Sequence, residues 1–222
     1  RLRTRDDFQV RRLPRVFDDA VMEEIRKTLG KLKAAQLELH EMPGFGRFVV
    51  HDHPFFSELQ ESTLELVGEA AGEEVEASYN FLSMYTKLGR CPIHMDSPEA
   101  KWTLDVCINQ SEPWPIHLSQ VLPWPEGFTS EGTDWKESIR QAADHRFSAF
   151  SLEPGNALVF SGSSQWHYRD ALPDAGRERS CDLLFFHYFP KGMAEIVDPM
   201  NWPRLFGIPE LAEIVMTTGT HA

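Results

Sequence analysis

Apolar positions recur at three- and four-residue steps over two stretches in the first third of the chain. In "FDDAVMEEIRKTLGKLKAAQLELHEM", residues 17–42, Val21, Met22, Ile25, Leu29 and Leu32 fall on one helical face, and Asp18 or Asp19 is placed to cap it. "FSELQESTLELVGEAAGEE", residues 56–74, predicts a second amphipathic helix with Ser57 as its cap. Between them "MPGFGRFVVHDHP" reads as a loop with a short strand over 48–51. Beyond residue 77 the pattern changes. "SYNFLSMYTKL", "KWTLDVCIN", "IHLSQVL", "ALVFSG" and "SCDLLFFHYF" are short, β-branched or aromatic runs bounded by Gly, Pro, Asn and Asp. They predict strands without long intervening helices, hence an antiparallel sandwich or barrel. The expected architecture is α+β with a mainly β core: one domain, with helical support over 1–76, the core over 77–190 and a C-terminal extension over 191–222. Residues 119–147 interrupt the core with a Pro/Trp/Gly stretch and a helical pattern over 135–143, and a connection this long in a compact domain is usually functional or disordered. "IPELAEIVM" predicts a short C-terminal helix with Pro209 in its first turn.

Composition narrows the function. The 222 residues are enough for a substantial core, and the 41% hydrophobic and 25% charged content is that of a soluble globular protein. No apolar run approaches the length of a membrane span, and the first residues lack a signal peptide's apolar segment. Three scattered cysteines, Cys91, Cys107 and Cys181, do not make a disulfide framework, which points to a reducing, cytoplasmic setting. The net charge of −12 disfavours nucleic acid as the main partner, because phosphate binding needs clustered Lys and Arg. The six arginines before residue 16 are a local exception, read as a solvated arm.

The chemistry concentrates in "CPIHMDSPEAKWTLDVCIN". His94 and Asp96 stand two apart, so in a strand both side chains face the same side. By itself such a pair is common in surface turns. Further along, "EPGNALVFSGSSQWHYRDAL" sets a Pro-Gly turn, a strand, a Gly/Ser loop and then His167, and "GRERSCDLLFFHYF" follows with arginines ahead of another strand. Two histidines and a carboxylate from separate strands match the facial triad of mononuclear non-haem Fe(II) enzymes, which leaves coordination positions open.

These blocks resemble the Fe(II)/2-oxoglutarate-dependent dioxygenase superfamily, closest in pattern to its prolyl-4-hydroxylase-like branch. "YTKLGRCPIHMD", "KWTLDVCIN" and "PGNALVF…H…R" carry the resemblance, which spans residues 79–189, about half of the chain. It implies a double-stranded β-helix, a jelly-roll or cupin-like relative, with the N-terminal helices as its support. It implies that His94, Asp96 and His167 hold Fe(II), with 2-oxoglutarate and O2 as co-substrates. His117, His145 and His187 are rival distal ligands: His117 comes too early in the strand order, His145 sits in the insertion, and His187 reads as a core or rim histidine. The far carboxylate of 2-oxoglutarate needs an Arg, whose planar fork suits it. The family places this residue about ten positions after the distal histidine. Arg177 lies at ten and Arg179 at twelve; position at the start of the last strand favours Arg179. Tyr85 is a second anchor candidate through its hydroxyl, with a core tyrosine as the other reading. Thr103 and Asn109 read either as lining the co-substrate pocket or, by preference, as core packing and a turn.

The implied activity is hydroxylation of an unactivated C–H bond of a small molecule, such as an amino-acid derivative, with release of succinate and CO2. The carboxylate of Asp96 argues against the related halogenases, which lack it, and for hydroxylation, with desaturation or cyclisation as open alternatives. Two Pro-Trp-Pro units, 113–115 and 123–125, together with Trp135, read either as a substrate lid or as packing. Trp166 reads as packing, and Arg169 as a surface residue or a contact for an acidic substrate. A peptidyl hydroxylase of the same family, a cupin-like metalloenzyme without 2-oxoglutarate, and a non-catalytic jelly-roll binding module remain open alternatives.

Overall fold

The computed structural model describes residues 2–123, 135–172 and 179–213. Strand β1 (Arg11–Leu13) is followed by helices α1 (Asp19–Lys31) and α2 (Met42–Phe45), strand β2 (Arg47–His51), and helices α3 (Pro54–Ser62) and α4 (Leu64–Ala71). Then come β3 (Val75–Tyr85), β4 (Cys91–His94), β5 (Trp102–Gln110) and β6 (Ile116–Ser119). After α5 (Trp135–Gln141) come β7 (Phe147–Phe150), β8 (Ala157–Phe160), β9 (His167–Arg169) and β10 (Cys181–Pro190). The short helices α6 (Ala194–Val197) and α7 (Trp202–Phe206) follow.

Both predicted N-terminal helices form, and both are shorter than their apolar periodicity. Asp18 caps α1, its carboxylate accepting the Val21 N–H at 2.8 Å. The helix ends at Lys31 because the following backbone is drawn to the edge of β2, where Glu38 and Val49 exchange hydrogen bonds of 2.8 and 3.2 Å. The second stretch starts at Pro54, whose fixed φ suits a first turn, so Ser57 lies inside α3 and is not its cap. It breaks at Thr63, whose hydroxyl is drawn to the Gln60 carbonyl and, at 2.6 Å, to the Tyr188 hydroxyl. The N-terminal arm is not a free, solvated tail. β1 pairs with β8, Phe8 is buried edge-on against Trp102, and Thr4 shares a buried 2.7 Å hydrogen bond with Ser161. Of the predicted C-terminal helix, residues 211–213 are helical and the rest lies outside the described residues.

The strands form two antiparallel sheets, ordered β1-β8-β5-β10-β3-β2 and β4-β9-β6-β7. From β3 to β10 the chain crosses back and forth between them, with β6 and β7 consecutive in the small sheet, and the two sheets face one another as a sandwich. Side-chain alternation divides three apolar layers. Leu104, Val106, Leu184, Phe186 and Tyr188 turn outward onto the N-terminal helices, against Met22, Ile25, Phe56 and Val67. Cys107, Leu183 and Phe185 turn inward to meet Ile116 and Leu118 of the small sheet. The outer face of the small sheet, Ile93, Met95, Trp166 and Tyr168, is covered by Trp135 and Ile139 of α5. The near-continuous apolar run of β5 is thus a strand buried on both faces. No helix among the described residues is long and apolar enough to cross a membrane.

Candidate metal centre

β4 and β9 lie side by side in the small sheet with His94 directly opposite His167, their ring centroids 4.2 Å apart. Asp96 follows two residues beyond β4, and its N–H donates to the Gly162 carbonyl at 2.9 Å in the loop between β8 and β9. Asp96 Oδ1 lies 3.4 Å from His94 Nε2 and 3.6 Å from His167 Nε2. One ligand atom from each of the three residues falls within 4.8 Å of the others.

The surroundings suit a cation. His94 Nδ1 lies 2.7 Å from the Pro92 carbonyl and His167 Nδ1 3.0 Å from the Gln165 carbonyl, so each Nδ1–H donates outward and each Nε2 is turned inward. Against its burial, Cys91 and Asp96 hold His94 well above the usual imidazole range until a metal takes the place of its proton. Burial raises the Asp96 carboxyl, but His167 and His94 beside it outweigh this and hold it below the usual carboxylate range. Burial and the neighbouring His94 push His167 down to about 4, keeping it a neutral ligand. The glycine at 162 is a steric requirement. A Cβ there would lie 2.2 Å from Asp96 Oδ2, 2.6 Å from the Ala100 carbonyl and 2.9 Å from Thr103 Oγ1. Thr103, read from sequence by preference as packing, instead faces the cleft and its hydroxyl stands 3.4 Å from Asp96 Oδ2.

The triad opens into a cleft of about 360 Å³ between the sheets. Tyr85 lines it, its hydroxyl accepting a 2.7 Å bond from Arg47 Nη1. Arg47, on β2, also pairs with Glu41 and lies over the ring of Phe45 at 4.5 Å. Arg169 shares the face of His167 on β9, lines the same cleft, donates to the Trp114 carbonyl and pairs with the fully buried Asp105 at 2.6 Å. Its burial corrects the reading of Arg169 as a surface residue. Arg179 is buried but does not line the cleft; its guanidinium pairs with Glu112 at 2.5 Å. Arg177 lies outside the described residues.

The rival histidines separate clearly. His117 stacks on Tyr168 at 4.6 Å beside Asp170, and His145 turns its Nδ1 to the Ile139 carbonyl at 2.8 Å. His187 lines the cleft outside the triad. Asn109 bonds Arg26 and Asp182, away from the cleft. Trp114 is packing: its Nε1 donates to the Asp170 carbonyl at 2.8 Å and its ring meets Tyr85 edge-on at 4.7 Å. Trp135 and Trp166 cover the outer face of the small sheet, and the rest of the second Pro-Trp-Pro unit after Pro123 lies outside the described residues. Arg47, Asp105 and Gly162 were not singled out from sequence. Arg169 could have been read as inward-facing, since it shares strand parity with His167.

No protein-family model matches the chain, and no curated protein does. Solved structures with the same arrangement do exist. HygX from Streptomyces hygroscopicus, with nickel, 2-oxoglutarate and hygromycin B bound, is 14% identical over 84% of this chain and 85% of its own, with a TM-score of 0.61. The epimerase SnoN, in complex with Fe3+, α-ketoglutarate and nogalamycin RO, is 14% identical over 85% of this chain and 84% of its own, with a TM-score of 0.57. A 2OG-Fe(II) oxygenase family protein from Burkholderia pseudomallei is 13% identical over 82% of this chain and 85% of its own, with a TM-score of 0.55. At such identities the likeness is one of architecture, and this chain is built on the fold of the 2-oxoglutarate- and iron-dependent oxygenases.

Proposed function

We propose that this protein is an Fe(II)- and 2-oxoglutarate-dependent dioxygenase that hydroxylates an unactivated C–H bond of a small molecule, an amino-acid derivative among the candidates. The observation that carries this reading is the convergence of His94, Asp96 and His167 at the head of a cleft in a fold shared with enzymes that bind these groups. The repeated crossing of β3–β10 between two sheets supports a double-stranded β-helix. The three free, buried cysteines suit a reducing compartment such as the cytoplasm.

Two imidazoles and one carboxylate are a donor set suited to Fe(II) that leaves positions open. When bound, iron and 2-oxoglutarate supply O2 activation, with succinate and CO2 as by-products. The chain's residues orient and exclude. Pro92 and Gln165 carbonyls fix the two rings, Gly162 leaves room for Asp96, and Phe160 and Ile116 dry the walls. For the far carboxylate of 2-oxoglutarate we assign the basic end of the cleft, Tyr85 with Arg47 and Arg169, in preference to Arg179, which is turned to Glu112. Asp96 fills the place that halide takes in halogenases. SnoN is an epimerase and the similar SnoK a carbocyclase, so the product identifies the outcome.

The deciding experiment is anaerobic addition of Fe(II) and 2-oxoglutarate. A weak visible charge-transfer band should appear in the wild type and in Arg179→Met, and be lost in a folded Asp96→Ala. No band in a folded wild type, with no succinate formed under O2, overturns the reading.

A further inference from the structure

The cleft has two chemically different ends. Tyr85 pairs with Cys181 at the start of β10, whereas His187 lies near the finish of that strand, roughly 20 Å along it. Arg169, paired with Asp105, lines the Tyr85 end, and Tyr79 and Glu99 line the His187 end, with Asp96 between; Arg47, paired with Glu41, reaches across the middle, over the rings of Tyr85 and Phe81. The His187 end is shaped by a β-bulge. Phe186 is opposite Asn80 and Tyr188 opposite Ala77, so Ser78 and Tyr79 together face His187. Such bulges re-aim side chains. Here Tyr79 lies flat on the His187 ring, centroids 4.3 Å apart and planes 15° apart, and Phe81 continues the stack at 5.3 Å.

Two polar groups at this end lack partners. His187 is 3% exposed, and its Nδ1 is buried with no hydrogen-bond partner among the described residues. The carboxylate of Glu99 lines the cleft and has no ion pair among the described residues. A buried polar atom left unsatisfied is costly, so a ligand that pairs with His187 Nδ1 has a ready gain.

We propose that the Tyr79–His187–Glu99 end is the substrate subsite, and that it takes a small molecule carrying a cationic nitrogen. The assignment of this end to substrate rests on the reading above that the basic end takes the co-substrate. An anionic group would meet the unpaired Glu99 and be repelled, since the nearby Arg47 is already paired with Glu41. A purely apolar one would leave Glu99 and His187 unpaired. A cation is attracted by Glu99 and by the ring of Tyr79, and His187 adds a hydrogen-bonding nitrogen without charge.

The test uses benzyltrimethylammonium, a cation that cannot ligate metal, against benzyl alcohol and benzoate. Each is titrated calorimetrically into the full chain, both metal-free and with anaerobic Fe(II) and saturating 2-oxoglutarate, with the charge-transfer band read in the same loaded sample. The cation should bind more tightly than either comparison compound. Glu99→Gln should weaken it about tenfold, the equivalent of 1.4 kcal/mol, and leave benzyl alcohol and the band unchanged. His187→Phe keeps the stack and should retain the preference for the cation. Equal or tighter binding of benzyl alcohol or benzoate, or an unchanged cation affinity in Glu99→Gln, overturns the proposal. Loss of the band with the cation preference intact would instead count against the co-substrate reading and leave a cation site without its iron partner.

Discussion

Gly162 shows how much of the candidate metal centre depends on a residue with no chemistry of its own. Its missing side chain is the space that Asp96 occupies. Gly162→Ala should displace that carboxylate, because two of the three crowded neighbours, the Ala100 carbonyl and Asp96 itself, are held in place. Loss of an orienting contact around a metal ligand typically costs 10–100-fold in metal affinity, and a loss of about that size is expected here by calorimetry with Ni(II). Unchanged affinity would show that the loop yields freely. His187 makes a different prediction. Burial holds its pKa down to about 4, against 6.5 ordinarily, so the folded state binds fewer protons than the unfolded state between those values. Stability is then full above about pH 6.5 and falls on acidification toward pH 4, with His187 contributing up to about 3 kcal/mol of that loss. Urea unfolding of the metal-free protein should show a shallower acid slope in His187→Phe, which keeps the share due to His167; an identical slope would refute the assignment. The triad itself was legible in the sequence, since two spaced polar residues before an apolar strand and a third after a Gly/Ser loop form a local pattern. The route was not. Asp96 lies past the end of β4 and is set by its bond to Gly162, not by strand alternation.

At the scale of elements, the core strands β3, β5, β6, β8 and β10 were readable because each is a run of β-branched or aromatic residues closed by a turn. β1, β7 and β9 were not, being three or four residues long with mixed polarity; their strand character comes from the neighbours they pair with. The same holds where α1 stops, because the attraction of Glu38 to Val49 is a long-range contact. β1 carries a measurable consequence. An arginine-rich arm should be expendable, yet Phe8 is buried against Trp102 and Thr4 is tied to Ser161, next to Gly162. Phe8→Ala should therefore cost about 3 kcal/mol, the lower range for truncating a buried aromatic ring. Chemical denaturation checks this. A loss below about 0.5 kcal/mol, typical of surface changes, would return the segment to the status of a solvated arm.

At the scale of the whole molecule, the three metal-competent residues join parts of the sandwich that are otherwise held separately. His94 and His167 belong to the small sheet, while Asp96 is fixed by the loop leaving β8 of the large one. In the unfolded chain nothing brings residues 94, 96 and 167 together, so a metal bound by all three favours the folded state. For a ligand at a hundred times its dissociation constant this linkage amounts to about 2.7 kcal/mol. In a chain of 222 residues it corresponds to a rise in Tm of roughly 5–10 °C. Ni(II) is the suitable probe, because it is not consumed by O2 during heating. The wild type should show the rise, a chelator should reverse it, and Asp96→Ala should show little of it. 2-Oxoglutarate should add a further rise with Ni(II) present and much less without it, since its 2-oxoacid end needs the metal while only its far carboxylate can use Tyr85, Arg47 and Arg169. An equal Ni(II) shift in Asp96→Ala would mean that the ion stabilises the chain from elsewhere, among the surface histidines His40 and His51 with Glu38 for instance, and that the three convergent residues do not act as one site.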